Sequence, residues 1–148
     1  MHSYKYPRPA VTVDVAVFCP INNDWQVLLI ERGKEPFRGT WALPGGFVDM
    51  EETLEQACLR ELEEETGLKL SSVRQFKVFD APNRDPRERI LSVVFYAMVD
   101  NAIPTKASDD ASAAKWFLLS SMPPLAFDHA EILESLVKHL RNQCLMGS

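Results

Sequence analysis

The amino-acid sequence predicts an α/β fold in which helices pack against a mixed β-sheet. Three observations support this prediction. Several short segments have the two-residue apolar period or the composition of strands, two longer segments have the apolar spacing of helices, and loops rich in glycine, proline or charge separate them. The chain has 148 residues, the length of one ordinary domain. We therefore expect one domain over residues 1–148.

The first predicted elements form a β-hairpin. Valines at positions 11, 13, 15 and 17 give Val11–Cys19 the period of a strand with one buried face. Asn22–Asp24 supplies a turn, and Trp25–Glu31 is a second apolar run at hairpin distance. Between Arg32 and Gly46, glycines and prolines leave room only for a short strand near Trp41–Leu43.

A helix and three strands follow this loop region. Thr53–Thr66 has apolar residues at three- and four-residue spacing, and Gly67 stands where a helix commonly ends. Strands are predicted at Arg74–Phe79, Ile90–Val99 and Ala114–Leu119, and the middle one is rich in β-branched and aromatic residues.

The last predicted helix begins at Asp128, where Glu131 three residues later is typical of a capping box. Its apolar stripe consists of Ile132, Leu133, Leu136, Val137 and Leu140. We interpret His129 and His139 as surface residues of this helix, because neither belongs to a cluster of potential partners.

The composition argues against several classes of protein. With 46% hydrophobic and 25% charged residues, the chain matches average globular usage and not that of disordered proteins. A net charge of −5 with scattered basic residues disfavours nucleic-acid binding. We expect neither a signal peptide nor a membrane span, because no apolar run has the required length. Cys19, Cys58 and Cys144 are widely spaced, which favours reduced thiols and a cytoplasmic location.

The acidic residues of the first helix do not all lie on a solvated face. Stepping 100° per residue, Glu61 and Glu65 point into the middle of the apolar stripe, and Glu64 lies at its margin. A solvated face explains Glu55 and Glu63, which point elsewhere. A buried carboxylate without a partner costs several kcal/mol, so the inward-facing acids require a partner.

A divalent cation is the simplest partner for these acids. Arg60 can neutralise at most one of them, so the cluster keeps an excess of negative charge. Carboxylate oxygens without nearby histidine or cysteine suit magnesium or manganese, and magnesium commonly accompanies phosphate substrates. Gly45 and Gly46 lack side chains, so their backbone can approach an ion and offer a carbonyl ligand, although a plain tight turn is the alternative role.

The segment Gly46–Leu68, GFVDMEETLEQACLRELEEETGL, matches the pattern G-x5-E-x7-R-E-U-x-E-E-x-G-U, with U aliphatic, at every defined position. This pattern is the Nudix box, and the chain resembles the Nudix hydrolases on it. The order of predicted elements extends the resemblance from about Arg8 to Arg141. It implies a Nudix-type α/β/α sandwich and metal-dependent hydrolysis, with magnesium or manganese, of a pyrophosphate bond in a nucleoside diphosphate derivative.

The resemblance also implies roles for individual residues. The metal ligands it implies are Glu61, Glu65, Glu64 and the carbonyl of Gly45. Glu64 is either a further ligand or the base that activates water, and Asp109 or Asp110 in a later loop is the alternative base. Glu52 and Arg60 occupy supporting positions, and we expect Arg60 to orient the catalytic carboxylates, including Glu61, through charge-assisted hydrogen bonds.

Three segments favour ADP-ribose as the substrate. The stretches DAPNRDPRERILSVVFYAMV, RGKEPFRGTWALPGGFV and LAFDH resemble the corresponding parts of ADP-ribose pyrophosphatases. Arg84 and Arg87 lie in a proline-bounded loop, where fixed guanidinium groups suit a diphosphate or terminal ribose, although a solvated loop is the alternative. Arg32 is a further candidate. Glu88 stands where the resemblance leads us to expect a glycine. This difference affects the turn geometry of the loop and hence the direction of the Arg84 and Arg87 side chains.

Two other functions are compatible with the box. A house-cleaning nucleoside triphosphate pyrophosphatase would carry the same glutamates. A non-catalytic ADP-ribose sensor is the alternative of another class, disfavoured because every glutamate needed for hydrolysis is present and little sequence follows the last helix. The family resemblance further implies a homodimer, in which a loop of the partner completes the pocket.

Overall fold

The computed structural model describes residues 5–105 and 111–147, which form one seven-stranded sheet and two helices. In chain order the elements are β1 (Ala10–Ile21), β2 (Asp24–Arg32), β3 (Trp41–Ala42), β4 (Gly45–Phe47), α1 (Leu54–Thr66), β5 (Arg74–Phe79), β6 (Ile90–Met98), β7 (Ala111–Leu118) and α2 (His129–Asn142). The predicted α/β class, the hairpin and both helices are confirmed, and β4 is an additional strand. In this described part of the chain, neither helix combines the length and apolar content needed to cross a bilayer.

The sheet is mixed because one of its strand pairs is parallel. Its main path runs β3-β2-β1-β6-β5, with β4 also paired to β1 and β7 to β2. The pair of β1 with β6 is parallel, and the other pairs are antiparallel. The β1–β2 hairpin closes with Ile21 opposite Asp24. Asn22 in its turn has φ 52, a left-handed conformation that asparagine adopts more readily than most residues.

Strand β1 is buried on both faces, so the predicted single buried face was wrong. Its residues Val13–Cys19 are all buried. Val13, Val15 and Val17 belong to the apolar cluster that contains α1, whereas Ala16 and Phe18 belong to the cluster that contains α2. A central strand covered by a helix layer on each face carries apolar residues at consecutive positions. The α/β/α sandwich is therefore confirmed.

Helix α1 has strong capping at both ends. The Thr53 hydroxyl accepts a hydrogen bond from the Gln56 backbone N–H at 3.1 Å, and the Gln56 side chain accepts one from the Thr53 N–H at 2.8 Å. At the other end Gly67 has φ 78 and donates its backbone N–H to the carbonyl of Glu63 at 2.8 Å. This reciprocal capping sets the start of the helix and thereby the direction of its glutamates.

Helix α2 begins as predicted after Asp128, but the predicted capping box with Glu131 was wrong. Asp128 makes no side-chain capping hydrogen bond. Its carboxylate instead accepts hydrogen bonds from Nε and Nη2 of Arg84, at 2.9 and 2.7 Å. A bidentate, charge-assisted pair is stronger than a hydrogen bond to a neutral backbone N–H, so the Asp128 carboxylate binds Arg84 instead of capping the helix.

Candidate functional site

A cleft of about 280 Å³ opens where β1, β2 and β4 meet α1 and the start of α2. The residues predicted from the sequence that line it are Arg32, Gly45, Gly46, Glu61, Glu65, Arg84 and Arg87. Carboxylates of α1 and the guanidinium groups of three arginines therefore line the same cleft. The structure thus brings together residues that stand up to 55 positions apart, from Arg32 to Arg87.

Arg60 is the centre of a charged network on the α1 side. Its guanidinium donates to both oxygens of Glu52, at 3.0 and 2.6 Å, and Nη1 also donates to Glu61 at 2.8 Å and Glu64 at 3.3 Å. Nη2 reaches the carbonyl of Phe47 at 3.2 Å, which ties the helix to β4. The hydrogen bonds to Glu52 raise the pKa of Arg60 above its ordinary value. The guanidinium therefore stays charged and links three carboxylates.

The backbone of β4 approaches the glutamates closely. A Cβ added at Gly46 would lie 2.6 Å from the carboxyl carbon of Glu61, and one at Gly45 would lie 2.1 Å from the carbonyl oxygen of Val13. Backbone atoms exclude a side chain at Gly45, whereas a side chain at Gly46 would displace the Glu61 carboxylate. The Gly45 N–H donates to Glu65 Oε1 at 2.8 Å, so the carboxylate and the strand are in direct contact.

The acids take two different positions around the cleft. Glu61 and Glu65 line the cleft, and the Glu61 side chain is only 15% exposed, whereas Glu64 is not among the lining residues and its side chain is 50% exposed. Within residues 5–105 and 111–147, no three His, Cys, Asp or Glu side chains converge closely enough to form a metal centre as they stand. Asp109 and Asp110, the alternative bases, lie outside the described residues.

The loop arginines line the cleft but are paired within the protein. The Arg84 side chain is 4% exposed and held by Asp128, and its Nη1 also donates to the carbonyl of Ile90 at 3.4 Å. Arg87 donates to Asp85 from Nε at 3.0 Å and from Nη2 at 2.7 Å. Burial raises the pKa of Asp85, but the hydrogen bonds from Arg87 more than reverse this, so the net shift is downward. Glu88, where a glycine was expected, is exposed.

Arg32 has a different environment from the loop arginines. Its Nε donates to the carbonyl of Pro36 at 2.7 Å, whereas Nη2 is buried and has no hydrogen-bond partner among the residues that the structure describes. Burial lowers the pKa of Arg32, and the positive charge of Arg87 lowers it further. A buried guanidinium nitrogen that lacks an acceptor and lines a cleft is suited to an anionic ligand.

His129 lies at the floor of the cleft, so its assignment to the surface was wrong. It is 3% exposed, and its Nδ1 accepts the Leu43 N–H at 3.0 Å. The proton of the neutral ring is then on Nε2, which lies 3.7 Å from Oδ1 of Asp14. The other oxygen of Asp14 accepts a short hydrogen bond from the Ser92 hydroxyl. His139, in contrast, is exposed as predicted.

Asp14 and His129 are the residues that sequence reasoning missed. Burial lowers the pKa of His129, and the nearby carboxylate of Asp14 opposes this shift only in part. The histidine is thus held neutral between the carboxylate of Asp14 and the backbone of Leu43. Leu43 stands two residues before Gly45. A signal was present in both cases: a lone aspartate in an otherwise apolar strand, and a histidine within the LAFDH segment.

Comparisons with known proteins agree with this geometry. The family model described as NUDIX domain matches residues 11–136. An ADP-ribose pyrophosphatase of Methanocaldococcus jannaschii is 44% identical over 133 residues, which cover 90% of this chain and 76% of that protein. The ADPR responsive transcriptional repressor NtrR of Acinetobacter baylyi is 34% identical, over 93% of this chain and 57% of that protein.

Solved structures extend the similarity to the whole fold. The NUDIX domain of Shewanella oneidensis NrtR, in a cocrystal with ADP-ribose, has a TM-score of 0.85 and 32% identity, covering 91% of this chain and 90% of that one. A MutT/nudix family protein from Enterococcus faecalis has a TM-score of 0.86 and 32% identity, covering 96% of this chain and 66% of that one. Box, fold and relatives coincide: the chain belongs to the Nudix family.

Proposed function

We propose that this protein hydrolyses the pyrophosphate linkage of ADP-ribose, giving AMP and ribose 5-phosphate, with magnesium as its metal and manganese as the alternative. The observation that carries the proposal is one cleft that is lined both by the carboxylates Glu61 and Glu65 and by the guanidinium group of Arg32. Such a cleft suits a cation bound to a diphosphate. The choice of ADP-ribose is supported by the 44% identity to the archaeal ADP-ribose pyrophosphatase.

The donor atoms around Gly45 fit a hard divalent cation. Glu61, Glu65 and Glu64 offer carboxylate oxygens, and Gly45 offers a carbonyl, without a sulfur or imidazole among them. These residues would hold the metal once Glu61 exchanges its contact with Arg60 and Glu65 its contact with the Gly45 N–H. When bound, the metal supplies an activated water and neutralises charge on the phosphates.

Side chains of the protein orient the carboxylates, accept the proton and bind the diphosphate. Arg60, fixed by Glu52, orients Glu61 and Glu64. Glu64 is our candidate for the base, because its half-exposed carboxylate is accessible to water and accepts the proton that the attacking water loses. Arg87 and Arg32 line the same cleft and bind the diphosphate through their guanidinium groups.

Arg84 differs from these two arginines in its role. Its guanidinium is nearly buried and fully engaged by Asp128 and the carbonyl of Ile90. We assign it to the support of the cleft, where its positive charge also acts on a bound phosphate at longer range.

Product analysis tests the substrate. Incubation with ADP-ribose and magnesium should release AMP and ribose 5-phosphate, identified by chromatography against standards. A house-cleaning enzyme would instead release inorganic pyrophosphate from a nucleoside triphosphate. Preference for triphosphates over ADP-ribose in kcat/KM would reject ADP-ribose as the substrate but leave the hydrolase assignment intact.

A sensor domain is the second candidate, because two of the similar proteins are ADP-ribose-responsive or ADP-ribose-bound regulators. A sensor would bind ADP-ribose with no turnover at any magnesium or manganese concentration. The same incubation, combined with equilibrium binding of ADP-ribose, therefore separates the two functions.

The assembly and domain organisation stay predictions. We expect residues 1–148 to behave as one cooperative unit in thermal unfolding, and we expect a homodimer. Light scattering coupled to size-exclusion chromatography would measure the mass of the assembly against the 16.8 kDa of one chain.

A further inference from the structure

Phe127 lies at the junction where the chain enters α2, in an uncommon backbone conformation. Its φ of 52 is in the left-handed region, which costs energy for a residue with a bulky side chain. Its ring lies 4.8 Å from the ring of Phe37 in an edge-to-face contact. The strained backbone thus directs the aromatic ring into the cleft, where it lines the wall with the arginines.

Two guanidinium groups contact this one ring. The central carbon of Arg32 lies 4.9 Å from the centroid of Phe127, and that of Arg87 lies 5.3 Å from it. Arg87 is also 5.3 Å from the ring of Phe47, so its guanidinium contacts two aromatic rings, one in β4 and one in the segment before α2. Cation–π contacts of this kind fix the position of a guanidinium while leaving its N–H edge available.

Each arginine is also anchored along part of its edge. Asp85 accepts from Nε and Nη2 of Arg87, and the carbonyl of Pro36 accepts from Nε of Arg32. The two positive charges repel each other, as the lowered pKa of Arg32 reflects after the larger effect of burial. An anion between the two groups removes this repulsion and provides the missing acceptor for Nη2 of Arg32.

We propose that Phe127 is a positioning residue that holds Arg32 and Arg87 as a preformed receptor for a phosphate group of the substrate. The inference rests on the proposed function in assigning that phosphate to a nucleoside diphosphate. The receptor itself requires only the described contacts. Phe127 acts on the phosphate through the two arginines and not by touching the reacting atoms.

The test is a titration that needs no turnover. Metal-free protein is titrated with ribose 5-phosphate by isothermal calorimetry, using the parent, Phe127→Leu, Phe127→Tyr, Arg32→Ala and the double variant with Phe127→Leu and Arg32→Ala. Leucine and tyrosine both carry a Cβ, so the cost of the positive φ is unchanged. Tyr6→Leu is the matched control, because Tyr6 also contacts a cation, Lys5, but is 67% exposed and lies outside the cleft lining.

Loss of the ring should weaken phosphate binding. Phe127→Leu is expected to raise the dissociation constant about tenfold, as two cation–π contacts are lost. Phe127→Tyr and Tyr6→Leu should match the parent. In the Arg32→Ala background the same leucine change should have a smaller effect, because one of its two targets is already gone.

Several outcomes would overturn the proposal. Parent-like affinity in Phe127→Leu, an undiminished effect in the Arg32→Ala background, or no binding of ribose 5-phosphate by the parent would each reject it. If Phe127→Leu does not fold, Phe127→Tyr and Arg32→Ala provide the test. The proposal then requires parent-like binding in Phe127→Tyr and weakened binding in Arg32→Ala. If the parent binds the phosphate through Phe127 but does not hydrolyse ADP-ribose, the receptor stands and the proposed substrate fails.

Discussion

The acidic and the basic residues at the cleft are held in different ways. The acidic wall, which we define as Glu52, Arg60, Glu61, Glu64 and Glu65, comes from one helix and the turn before it. The basic wall, defined as Arg32, Arg84, Asp85, Arg87 and Asp128, comes from three separate segments. In the acidic wall Arg60 contacts three of the four glutamates, and in the basic wall Asp85 and Asp128 each pair with one arginine, Arg87 and Arg84.

The difference shows how a protein keeps opposed charges at a short distance. Each wall neutralises part of its own charge through internal hydrogen bonds, as between Arg60 and Glu52 or between Arg84 and Asp128. The acidic wall retains an excess of negative charge, and the basic wall retains an excess of positive charge. A cation bound to a polyphosphate complements both excesses at once, because the metal meets the glutamates and the phosphate meets the arginines.

The largest expected effect is in the acidic wall. Glu65→Gln keeps the size of the side chain and the acceptor for the Gly45 N–H but removes a charge, so we expect kcat to fall about 10³-fold with the fold intact. Initial rates over a magnesium titration and the circular dichroism spectrum measure both. Glu63→Gln, on the exposed side of α1, is the control. Parent-like rates at limiting magnesium would remove Glu65 from the proposed ligands.

The second prediction separates support from binding within the basic wall. Arg84→Met leaves the carboxylate of Asp128 without its partner, so the free energy of unfolding should fall by about 3 kcal/mol. Urea denaturation measures it, and adding Asp128→Asn should restore part of the loss. A stable Arg84→Met variant with a raised KM would move Arg84 from support to substrate binding.

The third prediction concerns the arginine with the unpartnered nitrogen. Arg32→Ala should raise KM about 30-fold, the value of a hydrogen bond to a charged group, with a smaller change in kcat. Arg38→Ala, an exposed arginine outside the cleft lining, should leave both constants unchanged. Equal effects of the two substitutions would mean that only the overall charge of this region matters.

The smallest expected effect is a pH dependence of stability at the floor between the walls. Burial lowers the pKa of His129 from its ordinary value of 6.5. Below pH 6.5 the unfolded chain therefore binds a proton that the folded protein does not, and the free energy of unfolding falls by up to about 1.4 kcal/mol per pH unit. Above that pH this contribution is constant.

His129→Asn isolates this proton. The asparagine oxygen retains an acceptor for the Leu43 N–H but does not titrate. Urea denaturation between pH 5 and pH 8 should then show a weaker decline on acidification than in the parent. An identical slope in both proteins would assign the pH dependence to other groups.

Periodicity made the acidic wall predictable from sequence. The direction of a helical side chain follows from its position in the turn, so Glu61 and Glu65 were correctly predicted to face inward and Glu63 outward. The same local logic found the end of α1 at Gly67. It failed for α2, because the residues around Asp128 do not show whether its carboxylate caps the helix or binds an arginine 44 residues away in sequence.

What the sequence by itself determined is the Nudix box, the class of fold and the acids of one helix, because these depend on spacing within about 20 residues. Only the tertiary structure decided which arginines are already paired, that His129 is buried against Asp14, and that Phe127 gathers two guanidinium groups. These contacts join segments that are distant in sequence, and their energies depend on burial and on competing partners. Neither quantity is encoded in local spacing.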